Sequence, residues 1–235
     1  MEERVFKSLK ERYELIRHSN RIRSSDIIEN IVDNPVYYES PDPSLVAVKG
    51  YMDGIRCIIL GQEKRREGKE SKAMGMITAE GYNYVLDILD EAEEHKIPVI
   101  SFIDTFGGDA SMKSEMGGQS FNISDCIRKF CEIKTPTVSY VIGEGGSGGA
   151  LAMQVADKSF MFENALYSVI APESCARIIF NKRLQEGENL EDLVEDALEV
   201  LQPGAEHLME IGMVDEILSE PDEGAHTNYE NTINM

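Results

Sequence analysis

The chain has no tryptophan, only four cysteines and four histidines, and 23 basic residues against 43 acidic ones. Each shortage removes a class of explanation. Cys57, Cys126, Cys131 and Cys175 form no Cys-x-x-Cys pair, which argues against a zinc knuckle in this chain. Cys57 lies in an apolar strand pattern and Cys126 and Cys131 in a helical one, so core thiols are expected. A net charge of −20 leaves no basic face for a phosphate backbone, and nucleic acid is not an expected partner. No apolar run approaches the ~20 residues of a membrane span, and the charged start Met1-Glu-Glu-Arg-Val-Phe-Lys7 lacks the apolar core of a signal segment. The expectation is a cytoplasmic chain without a membrane partner. None of His18, His95, His207 and His226 sits in an acid–His arrangement, so a serine hydrolase is not supported. One basic cluster, Lys64-Arg65-Arg66 with Lys69 and Lys72, stands out. It reads as a solvated face or as a contact for an anionic group.

What is present is an alternation of strand and helix patterns from about residue 45 onward. Asp53-Gly54 between Leu45–Met52 and Ile55–Leu60 is a hairpin signal. Apolar residues Tyr82, Val85, Ile88, Leu89 and Ala92 recur at helical spacing, and the pattern ends near His95-Lys96. Ile97–Ile103 and Thr135–Ile142 read as buried strands, with a helix over Asn122–Ile133 between them. Ser159–Glu163 and Leu166–Ile170 are short strands, helices follow from Pro172, over Leu190–Leu201 and over Pro203–Ile211, and Val214–Leu218 is a last strand. Ser24-Ser25-Asp26 is expected to cap a helix over Ile27–Val32, which Asn34-Pro35 then stops. The tail after Glu220 is polar. This is an α/β chain with a largely parallel sheet.

The stretch that organises it is Val138-Ser-Tyr-Val-Ile-Gly-Glu-Gly-Gly-Ser-Gly-Gly-Ala-Leu-Ala152. It begins as a β-type run, passes Gly143, Gly145, Gly146, Gly148 and Gly149, and enters a helix former. Glycine lets a backbone approach a ligand closely. The first amides of a helix have no intrahelical acceptor, and the helix dipole adds positive character there. Such a loop holds a phosphate or an oxyanion; the plain alternative is a tight turn with close packing. Gly143-x-Gly145-x-x-Gly148, with Glu163 ~20 residues on, also fits a dinucleotide fingerprint, but it falls after more than half the chain. No Lys-Ser or Lys-Thr follows the glycines, which excludes a P-loop. Thr105-Phe-Gly-Gly108 is a second glycine turn after a buried strand, and the two turns are expected to face one cleft. Glu173 opens a helix, where a carboxylate complements the dipole.

Val141-Ile-Gly-Glu-Gly-Gly-Ser-Gly-Gly-Ala-Leu-Ala152 resembles the signature of the carboxyltransferase α subunit of bacterial acetyl-CoA carboxylase. Gly75-Met76, Glu80-Gly81-Tyr82, Pro98 through Asp104-Thr105, Gly118-Gln119-Ser120, Tyr167 through Ala176, and Gly224-Ala-His226 resemble further segments of that family, over about residues 45 to 228. The first glycine loop departs from it: Phe106-Gly-Gly-Asp-Ala-Ser111 stands where the family has Pro-Gly-Ala-Tyr-Pro-Gly.

The resemblance implies a crotonase-type fold, a spiral of ββα units. It divides the chain into an N-terminal helical extension (1–44), a carboxyltransferase domain (45–220) and a polar tail (221–235). It implies transfer of a carboxyl group from carboxybiotin, carried on a biotin carboxyl carrier protein, to acetyl-CoA for fatty acid synthesis. It implies pairing with a zinc-bearing β subunit that holds most of the acyl-CoA, as an α2β2 hetero-tetramer. In the family, backbone amides of the α subunit polarise the biotin ureido oxygen. Here they would come from Gly145-Gly146 or Gly148-Gly149, with Thr105, Gly107, Gly108, Ser147, Ala150 and Glu173 bordering the substrates. A branched side chain at Gly146 or Gly149 is expected to abolish transfer and leave the assembly intact. The competing readings are a biotin-dependent decarboxylase or other acyl-CoA carboxylase subunit, a silent assembly subunit, and a nicotinamide enzyme.

Overall fold

The computed structural model describes residues 6–64, 74–221 and 224–225. Arg65, Arg66, Lys69, Lys72 and His226 lie outside the described residues. In chain order the elements are α1 (Leu9–Leu15), α2 (Ser24–Ile31), β1 (Asp33–Tyr37), β2 (Leu45–Met52), β3 (Ile55–Gln62), α3 (Ala79–His95), β4 (Val99–Thr105), α4 (Met112–Met116), α5 (Gln119–Glu132), β5 (Thr137–Gly146), α6 (Ser147–Gln154), β6 (Lys158–Phe162), β7 (Leu166–Ser168), α7 (Pro172–Ile179), α8 (Asn181–Gln185), α9 (Leu190–Leu201), α10 (Ala205–Glu210) and β8 (Glu216–Leu218).

The strands form one sheet in the order β1-β2-β3-β4-β5-β6-β8, and β7 pairs separately with β5. β2 pairs antiparallel with both β1 and β3; from β3 onward the pairings are parallel. Asp53 and Gly54 both take positive φ, 48° and 78°, as a two-residue hairpin turn requires. β3 is buried from Cys57 to Gln62, the continuous burial of a strand covered on both faces. α3 is capped by Thr78, whose side chain accepts from the Gly81 amide, and it buries Tyr82, Val85, Ile88, Leu89 and Ala92. Those are the residues whose helical spacing was legible. β2-β3-α3 and β6-β7-α7 are the ββα units of this fold.

The first 44 residues carry two helices and also a strand. β1 begins at Asp33 and contains Pro35; the missing amide of Pro35 is tolerated because β1 is an edge. Ser24 is not a cap. It sits inside α2, whose N-cap is Arg23, and its hydroxyl donates to the Gln62 carbonyl at 2.8 Å. Ile22, Ile27 and Ile28 are buried in the main core. Each such side chain stabilises by roughly 1.5–3 kcal/mol, enough to fix this segment on the sheet. A smaller core joins Ile16 of the N-terminal segment to Cys175 and Ala176 of α7 and Leu193, Val194, Ala197 and Leu198 of α9. Two buried arginines tie the segment down at a distance. Arg12 reaches both carboxylate oxygens of Glu206 at 2.6 and 2.5 Å, and Arg21 reaches those of Glu220 at 2.5 and 2.7 Å.

Candidate active site

β5 is the strand that builds the site. Its first half pairs with β6 through Val138–Val141, and its second half pairs with β7 through Glu144–Gly146. Gly145 and Gly146 are therefore ladder residues, and Gly143 lies in the same strand at a register irregularity against β4, so none of the three is in a loop. No residue separates β5 from α6: the chain turns at Ser147, which takes φ 53°.

The glycines of the run divide by what a side chain would meet. A Cβ on Gly143 would enter the Asp104 carboxylate, 2.7 Å from its Cγ; on Gly145 it would enter the Tyr167 ring. On Gly146 it would lie 2.9 Å from the Thr105 carbonyl oxygen and closer to that of Phe106. On Gly149 it would penetrate the Gly107–Gly108 peptide, 2.6 Å from the Gly107 oxygen. Gly146 and Gly149 are required for the close approach of two backbones, and Gly143 and Gly145 for that of two buried side chains. Gly148 is the exception. It is half-buried, and a Cβ there would meet only Ile123, at 3.5 Å.

The two glycine turns thus pack directly on each other, and Gly146 and Gly149 are where they touch. The Thr105 hydroxyl donates to the Gly107 carbonyl at 2.8 Å and accepts from the Gly107 amide at 3.0 Å, so this buried side chain holds its own loop. Gly107 has φ 151°, and Gly108 is half-buried. Behind the pair, Gln62 and Tyr82 donate to the Gly149 carbonyl at 2.7 and 3.0 Å. Ala150 is buried, whereas Ser147 is exposed. No side chain caps α6, so the amides of its first turn have neither an intrahelical nor a capping side-chain acceptor at the positive end of the helix dipole.

Below the turns runs a network of charges that sequence reasoning missed. Asp104 Oδ1 accepts from the Glu144 amide at 2.8 Å and from Lys64 Nζ at 2.7 Å. Lys64 also reaches Glu144 at 3.2 Å, and Arg17 reaches Glu144 at 2.7 Å and Glu173 at 2.5 Å. Tyr13 also donates to Glu173. Burial works against the Glu173 carboxylate, but these hydrogen bonds outweigh it and hold its pKa below the ordinary value. Glu144 was visible as a lone charge inside a glycine run. Arg17 was not singled out, because its carboxylate partners lie 127 and 156 residues away.

The arrangement does not suit a nicotinamide enzyme. Gly143 and Gly145 lie within a strand, and Glu163 Oε1 accepts from the Glu220 amide at 2.8 Å. The strained turn at Ser147 has the shape of a nucleophile elbow, yet no base is hydrogen-bonded to Ser147 among the described residues. The model of acetyl co-enzyme A carboxylase carboxyltransferase-like proteins matches residues 1–235. The chain belongs to this carboxyltransferase family. Acetyl-coenzyme A carboxylase carboxyl transferase subunit alpha of Campylobacter hominis is 39% identical over 234 residues, covering 95% of this chain and 72% of that one. The protein of the same name from Treponema denticola is 36% identical over 229 residues, covering 94% and 72%. Among solved structures, the transcarboxylase 12S core aligns with a TM-score of 0.72 at 19% identity, over 88% of this chain and 42% of that one. The Pseudomonas malonate decarboxylase MdcD-MdcE hetero-dimer aligns with a TM-score of 0.68 at 12% identity, over 97% and 86%. At these identities the likeness is one of fold, and the carboxyltransferase fold here is the crotonase type. No helix among the described residues is long and apolar enough to cross a membrane.

Proposed function

We propose that this chain is the α half of a biotin-dependent acetyl-CoA carboxyltransferase. The observation that carries this reading is the uncapped start of α6 at Ser147–Gly148, seated against the Gly107–Gly108 turn. The Gly145 and Gly146 residues are engaged with β4 and β7, which favours the Gly148 end of the run as the donor. Carboxybiotin, brought by a separate carrier protein, supplies the carboxyl group. The cradle suits a planar ureido oxygen: two backbones meet without side chains between them, and the one open position is itself a glycine.

In this reading the amides at Gly148 and its neighbour hold the oxygen on which negative charge grows, at N–H···O distances near ~2.9 Å. Asp104, Lys64 and Glu144 hold the two turns at their bases. Asp104, Glu144 and Glu173 are each paired with a cation, which favours charge stabilisation over proton transfer as this chain's contribution. A β partner bearing zinc and most of the acyl-CoA site, in an α2β2 assembly, completes the proposal.

A second reading rests on the departure at Phe106–Ser111: the same machinery with another acyl-CoA acceptor, or a decarboxylase subunit. The chain alone is expected to be inactive. Reconstitution with its zinc-containing partner and a biotinylated carrier, followed by an assay of malonyl-CoA, tests the proposal. Full transfer by this chain alone would overturn it, and failure with acetyl-CoA but turnover of another acyl-CoA would favour the second reading.

A further inference from the structure

The segments that bear the motifs, Asp104–Gly108, Glu144–Gly149 and Pro172–Glu173, meet at one side chain outside all of them. The Arg17 guanidinium carbon stands 4.3 Å from the centre of the Phe106 ring and 4.1 Å from that of Tyr13. The plate therefore lies against two aromatic rings while its edges donate to Glu144 and Glu173. Only a planar, permanently charged fork satisfies both demands; a lysine would keep the charge and lose the stacking and the second edge. Phe106 is the first residue at which the loop leaves the family pattern. Its carbonyl backs onto Gly146, and its ring borders a cavity of about 330 Å³ shared with Lys64 and Asp104. Open space on that side permits the loop to move unless something restrains it.

We propose that Arg17 is a positioning residue: by clamping Phe106 to Glu144 and Glu173, it sets the spacing between the two amide-bearing turns. The N-terminal segment is then a working part of the site. Arg17 is not needed to dock that segment, since the Arg12–Glu206 and Arg21–Glu220 pairs and buried Ile16 already do so. The proposal rests on the reading of the two turns as the reacting site.

The test uses the full chain, alone and with its β partner, carrying Arg17→Gln, Arg17→Lys, Phe106→Leu or the Arg17→Gln/Phe106→Leu pair. Hydrogen exchange at Phe106–Gly108 should quicken by about tenfold in Arg17→Gln, the loss of one cation–π contact, with α1 and α3 as protected as before. kcat should fall by about 10–100-fold, the cost of a misplaced reacting group, while the KM for acyl-CoA stays within about twofold. Arg17→Lys should not rescue, and the double variant should be no worse than Phe106→Leu. Unchanged exchange in the loop, an equal rise across α1, or full rescue by lysine would overturn the assignment. If the wild-type complex moves no carboxyl group at all, the functional reading fails, and the exchange result still decides whether Arg17 restrains the loop.

Discussion

Within one run of seven residues, Gly143–Gly146 and Ser147–Gly149 use glycine for different ends. The first group lies in β5, buried between Asp104, Tyr167 and the Phe106 carbonyl. The second opens α6 at the surface, and Gly148 has room for a side chain. Gly149 belongs by contact to the first group, because it touches the Gly107–Gly108 peptide. Composition alone suggested one anion loop; the geometry separates glycines needed for packing from the one compatible with a ligand.

Substitutions should split along that line. Gly146→Val and Gly149→Val should have the largest effect, a destabilisation of about 3 kcal/mol or more, because backbone atoms occupy the space and cannot yield as a side chain can. Urea unfolding midpoints, or failure to recover soluble chain, would report it. This replaces the expectation that these variants stay assembled; retention of a normal midpoint would mean that the two turns are not in contact in solution. Gly148→Val should fold normally and lower kcat by about 10²-fold, the order of losing an oxyanion donor, because its branched side chain would block approach to an amide that the substitution leaves in place. Near wild-type kcat in a folded Gly148→Val complex would remove the oxyanion role from this helix start.

Acid should loosen the arginine–carboxylate pairs that hold the N-terminal segment before it affects the glycines of β5. The pKa of Glu173, Glu206 and Glu220 is lowered from 4.5: burial opposes the shift in each, and the arginine partners outweigh it. A depressed carboxylate stabilises the fold fully above its unfolded pKa, and that stabilisation is lost as pH falls through the folded value. Thermal midpoints should therefore be flat down to about pH 5 and decline below it, with a shallower decline in Arg21→Gln, which starts from lower stability because it leaves Glu220 buried without its partner. A decline that begins near neutrality would point to a different titrating group. Asp109→Ala should do least. Its carboxylate accepts from Ser111 and Ser114 beside α4, and loss of that local support should cost about 1 kcal/mol without changing kcat. A changed acyl-CoA preference in this variant would instead make the divergent loop a selector.

Legibility followed the range of the interaction. The hairpin at Asp53-Gly54 and the limits of α9, Leu190–Leu201, were readable because turn chemistry and helical period are local. β1 was hidden by Pro35, which reads as a stop although an edge strand accepts it. The extension of β5 through three glycines was hidden because glycine has low strand propensity; what holds it there is β4 on one side and β7 on the other. The family and its motifs were readable in the glycine run, whereas Arg17 was not, nor were the partners of Lys64 and Tyr82. Their partners are assigned by tertiary contact over tens to hundreds of residues.

The interlocking of Gly143, Gly145, Gly146 and Gly149 with their neighbours has a bearing on how such chains should be read in genomes. A slip of β5 by one residue against β4 would bring Ile142 or Glu144 to the place where Gly143 meets Asp104, and no such side chain fits. The four glycines therefore act as a key that admits a single alignment, and a descendant that had lost its chemistry but still had to fold would keep them. Their presence reports inheritance of the architecture. The residue to inspect for a retired copy is the fifth, at position 148, where drift is sterically free.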